Sequence, residues 1–187
     1  SGSTGTSNTF SVNAGAFTKL QVLLPGETAA PGSVSGKTGT PTSQSAGTSF
    51  TVTVNAVDAN WNVVSAAPAD VISLTSTDGG AIMPANAALA SGTVTFSLAL
   101  VTAGAQTITA TDVTDGAKTP NTSASVTITA FASATSDYFR SNVASGNWNA
   151  NGTWQSSHNN VNWFTATATP TNAANTITIR TGNTITV

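Results

Sequence analysis

Seven carboxylates and one imidazole are the acid–base groups that this chain offers near neutral pH: Glu27, Asp58, Asp70, Asp78, Asp112, Asp115, Asp137 and His158. Cleaving a glycosidic bond needs two carboxylates facing each other across it. Glu27 falls in a Gly/Pro-rich stretch that reads as loop. The aspartates stand mostly beside turn residues, where an Asp side chain caps backbone N–H groups. His158 lies in the polar run Ser156-Ser157-His158-Asn159-Asn160. A triad would need it buried against an acid and a nucleophile, so a solvated loop histidine is expected. Asp112-Val113-Thr114-Asp115-Gly116, or Asp58 with Asn60, could lend oxygens to Ca²⁺. That ion takes about six to eight oxygens, and the dense Asp-x-Asp-x-Asp-Gly spacing is absent. Turn capping is preferred, no catalytic residue is assigned, and Ca²⁺ is the one cofactor left open.

Trp148, Trp154 and Trp163 offer a different chemistry. Indole faces stack on sugar rings, so three of them in an Asn/Thr-rich segment make a candidate carbohydrate-binding face. The alternative is that they form the core of a small body with few other large apolar residues. Aromatics bury the most area per residue, and on that ground the core reading is preferred. Trp61, at a turn apex, is expected to be exposed.

Composition narrows the classes. Charged residues make up 6% of the 187 residues and the net charge is −2. Nucleic-acid binding needs a basic stripe, which five scattered Lys and Arg cannot supply. The same scarcity argues against an anionic membrane surface, and no apolar run is long enough to span a bilayer. With no Cys, a disulfide framework, a thiolate metal site and a cysteine nucleophile are excluded together. Threonine is the most frequent residue, and its β-branched side chain suits a half-exposed pleated surface.

The pattern that would position these groups is a period-2 alternation. Strands are expected at 17–24, 50–57 (Phe50, Val52, Val54 and Ala56 on one face), 63–64, 71–75, 92–100 (Val94, Phe96, Leu98 and Leu100 inward), 106–111 and 125–131. Glu27 to Thr48 reads as a long loop with a short edge strand at 33–35. Short alternating strands between turn signals predict an all-β, antiparallel sandwich. After Phe131 the composition shifts to Trp and Asn, which marks a second small β domain over 137–187, joined by a linker at 132–136. There Asn175-Thr176-Ile177-Thr178-Ile179 is echoed by Asn183-Thr184-Ile185-Thr186-Val187. This is either a hairpin or the first rungs of a β-solenoid, and the domain is expected to be truncated.

Ser11-Val12 returns as Ser125-Val126 and Ala16-Phe17 as Ala130-Phe131, the same offset of 114 residues (125 − 11 and 130 − 16). Self-similarity at a fixed spacing marks strung modules. Residues 1–17 are therefore expected to be the last strand of a preceding repeat, with 18–131 a whole module, in a slice of a longer protein.

The runs Phe50–Val64, Gly92–Leu98 and Ala103–Asp112 resemble the bacterial immunoglobulin-like repeats of invasin-type adhesins. Trp61 stands where those repeats usually carry Gly. The tail, with Tyr138-Phe139-Arg140-Ser141, Ser145-Gly146-Asn147-Trp148-Asn149 and Ile177–Val187, resembles a segment of large Bacteroidetes surface proteins and the opening of the eight-glycine domain. These resemblances imply an Ig-like sandwich at the bacterial cell surface, exported by type IX secretion. The implied role is structural or adhesive, with neighbouring repeats as partners. Three other functions stay open: carbohydrate binding through the Trp cluster, filament assembly by strand donation from residues 1–17, and an accessory role in a polysaccharide-degrading β-helix enzyme. Surface glycans or self-association are the further partners these imply. No nucleic-acid partner and no membrane insertion are expected.

Overall fold

Alternating apolar and hydroxyl side chains make a ribbon that must bury one face, and here several ribbons bury theirs together. The computed structural model describes residues 13–187. They are all-β, with one short 3₁₀ turn at Asn151–Thr153. Twelve strands build the first part: β1 (Lys19–Leu23), β2 (Glu27–Ala29), β3 (Lys37–Gly39), β4 (Gln44–Ser45), β5 (Ser49–Val57), β6 (Val71–Ser76), β7 (Ala87–Ala88), β8 (Thr93–Ala99), β9 (Gly104–Gln106), β10 (Ile108–Asp112), β11 (Asn121–Thr122) and β12 (Val126–Thr129). They pair as β1-β5-β8, β11-β10-β6-β7 and β4-β12-β9, with β2-β3 as a separate hairpin. All of these pairs are antiparallel except β4–β12.

Leu20, Val22, Val52, Val54, Phe96 and Leu98 of the first sheet meet Ile72, Leu74, Ile108 and Ala110 of the second and Val126 and Ile128 of the third in one apolar core. Val52 and Val54 are wholly buried, and each such side chain contributes about 1.5–3 kcal/mol. Register holds the inward faces together, with Val22 opposite Val54 and Val54 opposite Val94.

The 27–48 stretch differs from expectation. Glu27 opens β2 of a hairpin, while Ser33 to Ser35 forms its solvent-facing tip, with Val34 fully exposed. A polar ladder on the opposite face of the first sheet explains the placement. Gln21, Asn55 and Thr93 stand opposite one another. Thr93 Oγ1 donates to Asn55 Oδ1 (2.9 Å), Asn55 Nδ2 to Gln21 Oε1 (3.0 Å), and Gln21 Nε2 to the Gly36 carbonyl (2.7 Å). Gln21 and Asn55 are buried, so the hairpin supplies the last acceptor that water cannot reach. The expected 106–111 strand is split at Thr107. β9 pairs with β12, whereas β10 pairs with β6.

Trp61 has φ 69°, the left-handed conformation for which Gly is suited. Trp61 is kept in this conformation because its indole is held. Lys19 Nζ sits 3.5 Å from a ring centroid, and the ring lies against Gly36, where an added Cβ would fall 2.2 Å from Cδ2. Trp61 is thus half-buried rather than exposed.

Of the expected lead-in strand, residues 1–12 lie outside the described residues, and residues 13–17 carry no strand.

The remaining strands are β13 (Tyr138–Ser141), β14 (Ser145–Asn147), β15 (Trp154–Ser157), β16 (Phe164–Thr165), β17 (Thr176–Thr178) and β18 (Thr184–Thr186). They pair as β16-β15-β13-β17 and β14-β18 around a second, smaller core of Phe139, Trp154 and Ala166. The echoed strands β17 and β18 do not form a hairpin with each other. β17 runs parallel to β13, with Tyr138 opposite Thr176, and β18 runs parallel to β14, with Ser145 opposite Thr184. The chain thus returns alongside itself in two successive parallel pairs, as in one coil of a solenoid.

Between the two cores, Phe131 stacks on Phe164 with centroids 4.5 Å apart and planes 13° apart. A Cβ at Gly47 would lie 2.3 Å from Phe164 Cε2. Ser133 N donates to Thr167 Oγ1 and Thr167 N to Ser133 Oγ, both at 2.8 Å, and the Ser133 and Ser156 hydroxyls are 2.6 Å apart.

Candidate functional site

The three tail indoles have three different environments. Trp154 opens β15 and is wholly buried. Its Nε1 donates to the Trp148 carbonyl (2.9 Å), and its ring meets Trp148 edge-on at 5.0 Å. It has no face left for a sugar. Trp148 and Trp163 are half-buried. The Arg140 guanidinium covers one face of Trp163 at 4.1 Å, while Arg140 Nε donates to Gln155 Oε1 (2.9 Å).

His158 stands in an exposed bend, as expected, but its ring is anchored. Its Nδ1 pairs with Oδ1 of Asp137, a buried carboxylate at the start of β13, and its ring packs 4.7 Å from that of Phe131. The neighbouring hydroxyls point elsewhere. Ser157 Oγ donates to Asn159 Oδ1 (3.0 Å), and Ser156 pairs with Ser133. The arrangement tethers the 158–162 loop to the strand that follows residue 137. The pairing spans 21 residues of loop and strand, and no local motif signals it.

Asp58, Asp78, Asp112, Asp115 and Asp137 cap backbone N–H groups of turns, as their flanking residues suggest. Asp58 accepts from the N–H groups of Gly15 (2.8 Å), Asn60 (2.8 Å) and Asn62 (2.9 Å) and from Asn62 Nδ2 (2.9 Å). The Asn62 amide first, then Gly15, hold its carboxyl at about 2, below the ordinary 3.8. A carboxyl depressed in the folded state stabilises fully above its unfolded pKa, and that contribution fades as pH falls through the folded value. The melting temperature should therefore drop between about pH 4 and pH 2, and less steeply in Asp58→Asn. Parallel acid curves for the two proteins would remove Asp58 from the account.

Glu27 is held by Lys37 Nζ at 2.9 Å and accepts from Leu24 N (3.0 Å). Asp115 is paired to Lys118 at 3.0 Å. One constellation has no signal in the sequence. The antiparallel pairing of β6 with β10 places Ile72 opposite Asp112, so the residue leading into β6, Asp70, meets the end of β10. Both residues are buried. Burial first, then the charge of Asp112, pushes the Asp70 carboxyl above its ordinary value.

An open hollow of about 350 Å³ lined by Asn13, Ala14 and residues 63–66 contains no ionisable side chain. Among the described residues no group of three or more His, Cys, Asp or Glu is placed to hold a metal ion, and no helix is long and apolar enough to cross a membrane. No family model, curated protein or solved structure matches the chain.

Proposed function

We propose that the chain is a non-catalytic spacer module of a bacterial cell-surface protein, holding an adhesive part away from the surface and contributing to adhesion. The observation that supports this best is the joint between the two cores. A stalk must transmit orientation. Here a stacked Phe131–Phe164 pair seated on Gly47, with reciprocal Ser133–Thr167 hydrogen bonds, ties the parts together. Low charge limits self-repulsion between modules in series, and the resemblances of both parts to surface proteins point the same way. The carbohydrate-binding reading has less support, because Trp154 is enclosed and Arg140 covers one face of Trp163.

¹⁵N relaxation tests the joint. The wild-type chain should tumble as one body. Phe164→Ala should cost about 2 kcal/mol and give two rotational correlation times. Two independent correlation times in the wild type would remove the spacer reading. Glycan-array binding abolished by Trp148→Ala or Trp163→Ala would replace it with the carbohydrate one.

A further inference from the structure

We propose that Asp70 and Asp112 form a cation site where β6 begins and β10 ends, and that its ion is Ca²⁺. Asp112 is 2% exposed. Its Oδ1 accepts the N–H groups of Thr114 and Asp115, each at 2.9 Å. Its Oδ2 is buried and has no hydrogen-bond partner among the described residues. A buried carboxylate oxygen left alone is costly, and such groups are normally paired or bound to a metal. The pairing that sets Ile72 opposite Asp112, continued by the Val113 N to Val71 carbonyl bond, brings the carboxylate of Asp70, 7% exposed, to the same face of the sheet. Two neighbouring carboxylates, one buried and the other open to water along one edge, repel each other unless a proton or a cation sits between them.

The nearby charges do not supply that cation. Lys118 is engaged by Asp115 Oδ2 at 3.0 Å, and Asp115 Oδ1 accepts from Ala117 N (3.0 Å). Asp115 and Lys118 therefore neutralise each other, leaving Asp70 and Asp112 as an uncompensated pair. This differs from a site spanning Asp112 and Asp115, because Asp115 is already committed. Two carboxylates with no nitrogen or sulfur donor select a hard ion. Ca²⁺ accepts irregular oxygen sets completed by water, whereas Mg²⁺ demands near-ideal octahedral geometry and dehydrates reluctantly. No third acidic or imidazole ligand joins among the described residues. That places the affinity in the weak range of extracellular modules, about 10⁻⁴–10⁻³ M.

Isothermal titration of the EDTA-treated, dialysed chain with CaCl₂ should show saturable binding in that range, with a weaker response to MgCl₂. The melting temperature should rise and plateau with added Ca²⁺. Asp112→Asn and Asp70→Asn should each weaken binding about tenfold or more, and Asp115→Asn should retain it. The wild-type titration stands even if a variant folds poorly. Absence of saturable heat up to about 10 mM Ca²⁺, or equal binding by wild type and Asp112→Asn, would overturn the site. So would a shared proton instead of a metal, seen as a melting temperature that does not respond to Ca²⁺ and that falls in metal-free buffer as pH rises and the shared proton is lost.

Discussion

Trp154→Ala should unfold the C-terminal part while the sandwich keeps its fold. The second core has few large members. Phe139 and Trp154 are its fully buried aromatics, with Ala166 beside them and Trp148, Ala174, Ile177 and Ile185 packed partly against it. Removing a buried indole costs about 3–5 kcal/mol. A body of this size has a total stability of roughly 3–8 kcal/mol, so the loss is comparable with the whole. The Trp148 carbonyl also loses its donor, and the edge-on ring contact disappears. In ¹H–¹⁵N spectra, resonances of residues 137–187 should collapse toward random-coil shifts while those of β5 and β8 stay dispersed. Trp154→Phe should recover part of the stability by refilling the volume. Native spectra for Trp154→Ala, combined with loss of glycan binding, would instead return Trp154 to a binding face.

The long strands of the first part were legible because their signal is local. Phe50, Val52, Val54 and Ala56 all point into the core, as do Val94, Phe96, Leu98 and Leu100. Alternation over seven to nine residues leaves little choice of face. β2, β3, β7 and β11 are two or three residues long, too short for a period to register. The β2–β3 hairpin is placed by Gln21 and Asn55, buried polar groups whose partners arrive from another strand. The echo of β17 in β18 was visible, but whether similar strands pair with each other or with earlier ones depends on long-range register. Trp61 takes a left-handed conformation that Gly adopts at least cost, and Lys19 and Gly36 hold its ring there. The acids carry the same lesson at the level of chemistry. Turn composition marks Asp58 and Asp115 as caps, but nothing local links Asp70 with Asp112, and only the β6–β10 pairing unites them.

Asp78→Ala should be the most damaging single change in the sandwich outside its apolar core. This carboxylate is 4% exposed and fastens two loops that are distant in sequence. Oδ2 accepts from the N–H groups of Val101 (2.6 Å) and Thr102 (2.9 Å). Oδ1 accepts from Gly80 N (3.0 Å) and Thr102 Oγ1 (2.7 Å). The turn after β6 is thereby held against the corner after β8, where Ile82 N donates to the Ala99 carbonyl (2.8 Å). Alanine leaves those donors without an acceptor, at about 1–3 kcal/mol for each one that water cannot reach. Thr102 is exposed and Val101 half-buried, so water recovers part of the loss and the net cost is about 3 kcal/mol, a fall in melting temperature of roughly 10 °C. The pH dependence separates this from a packing effect. Burial alone would raise the Asp78 carboxyl, but the hydrogen bonds from Thr102 and Val101 outweigh it and hold it below its ordinary value. Its stabilisation is therefore present above the unfolded carboxyl pKa and is lost as pH falls through the folded one. The gap between wild type and Asp78→Ala should be full at pH 7 and narrow in that acid range, whereas a cavity effect would leave it constant. Asp78→Asn, which keeps an acceptor oxygen but turns an NH₂ group toward other donors, should restore only part of the loss.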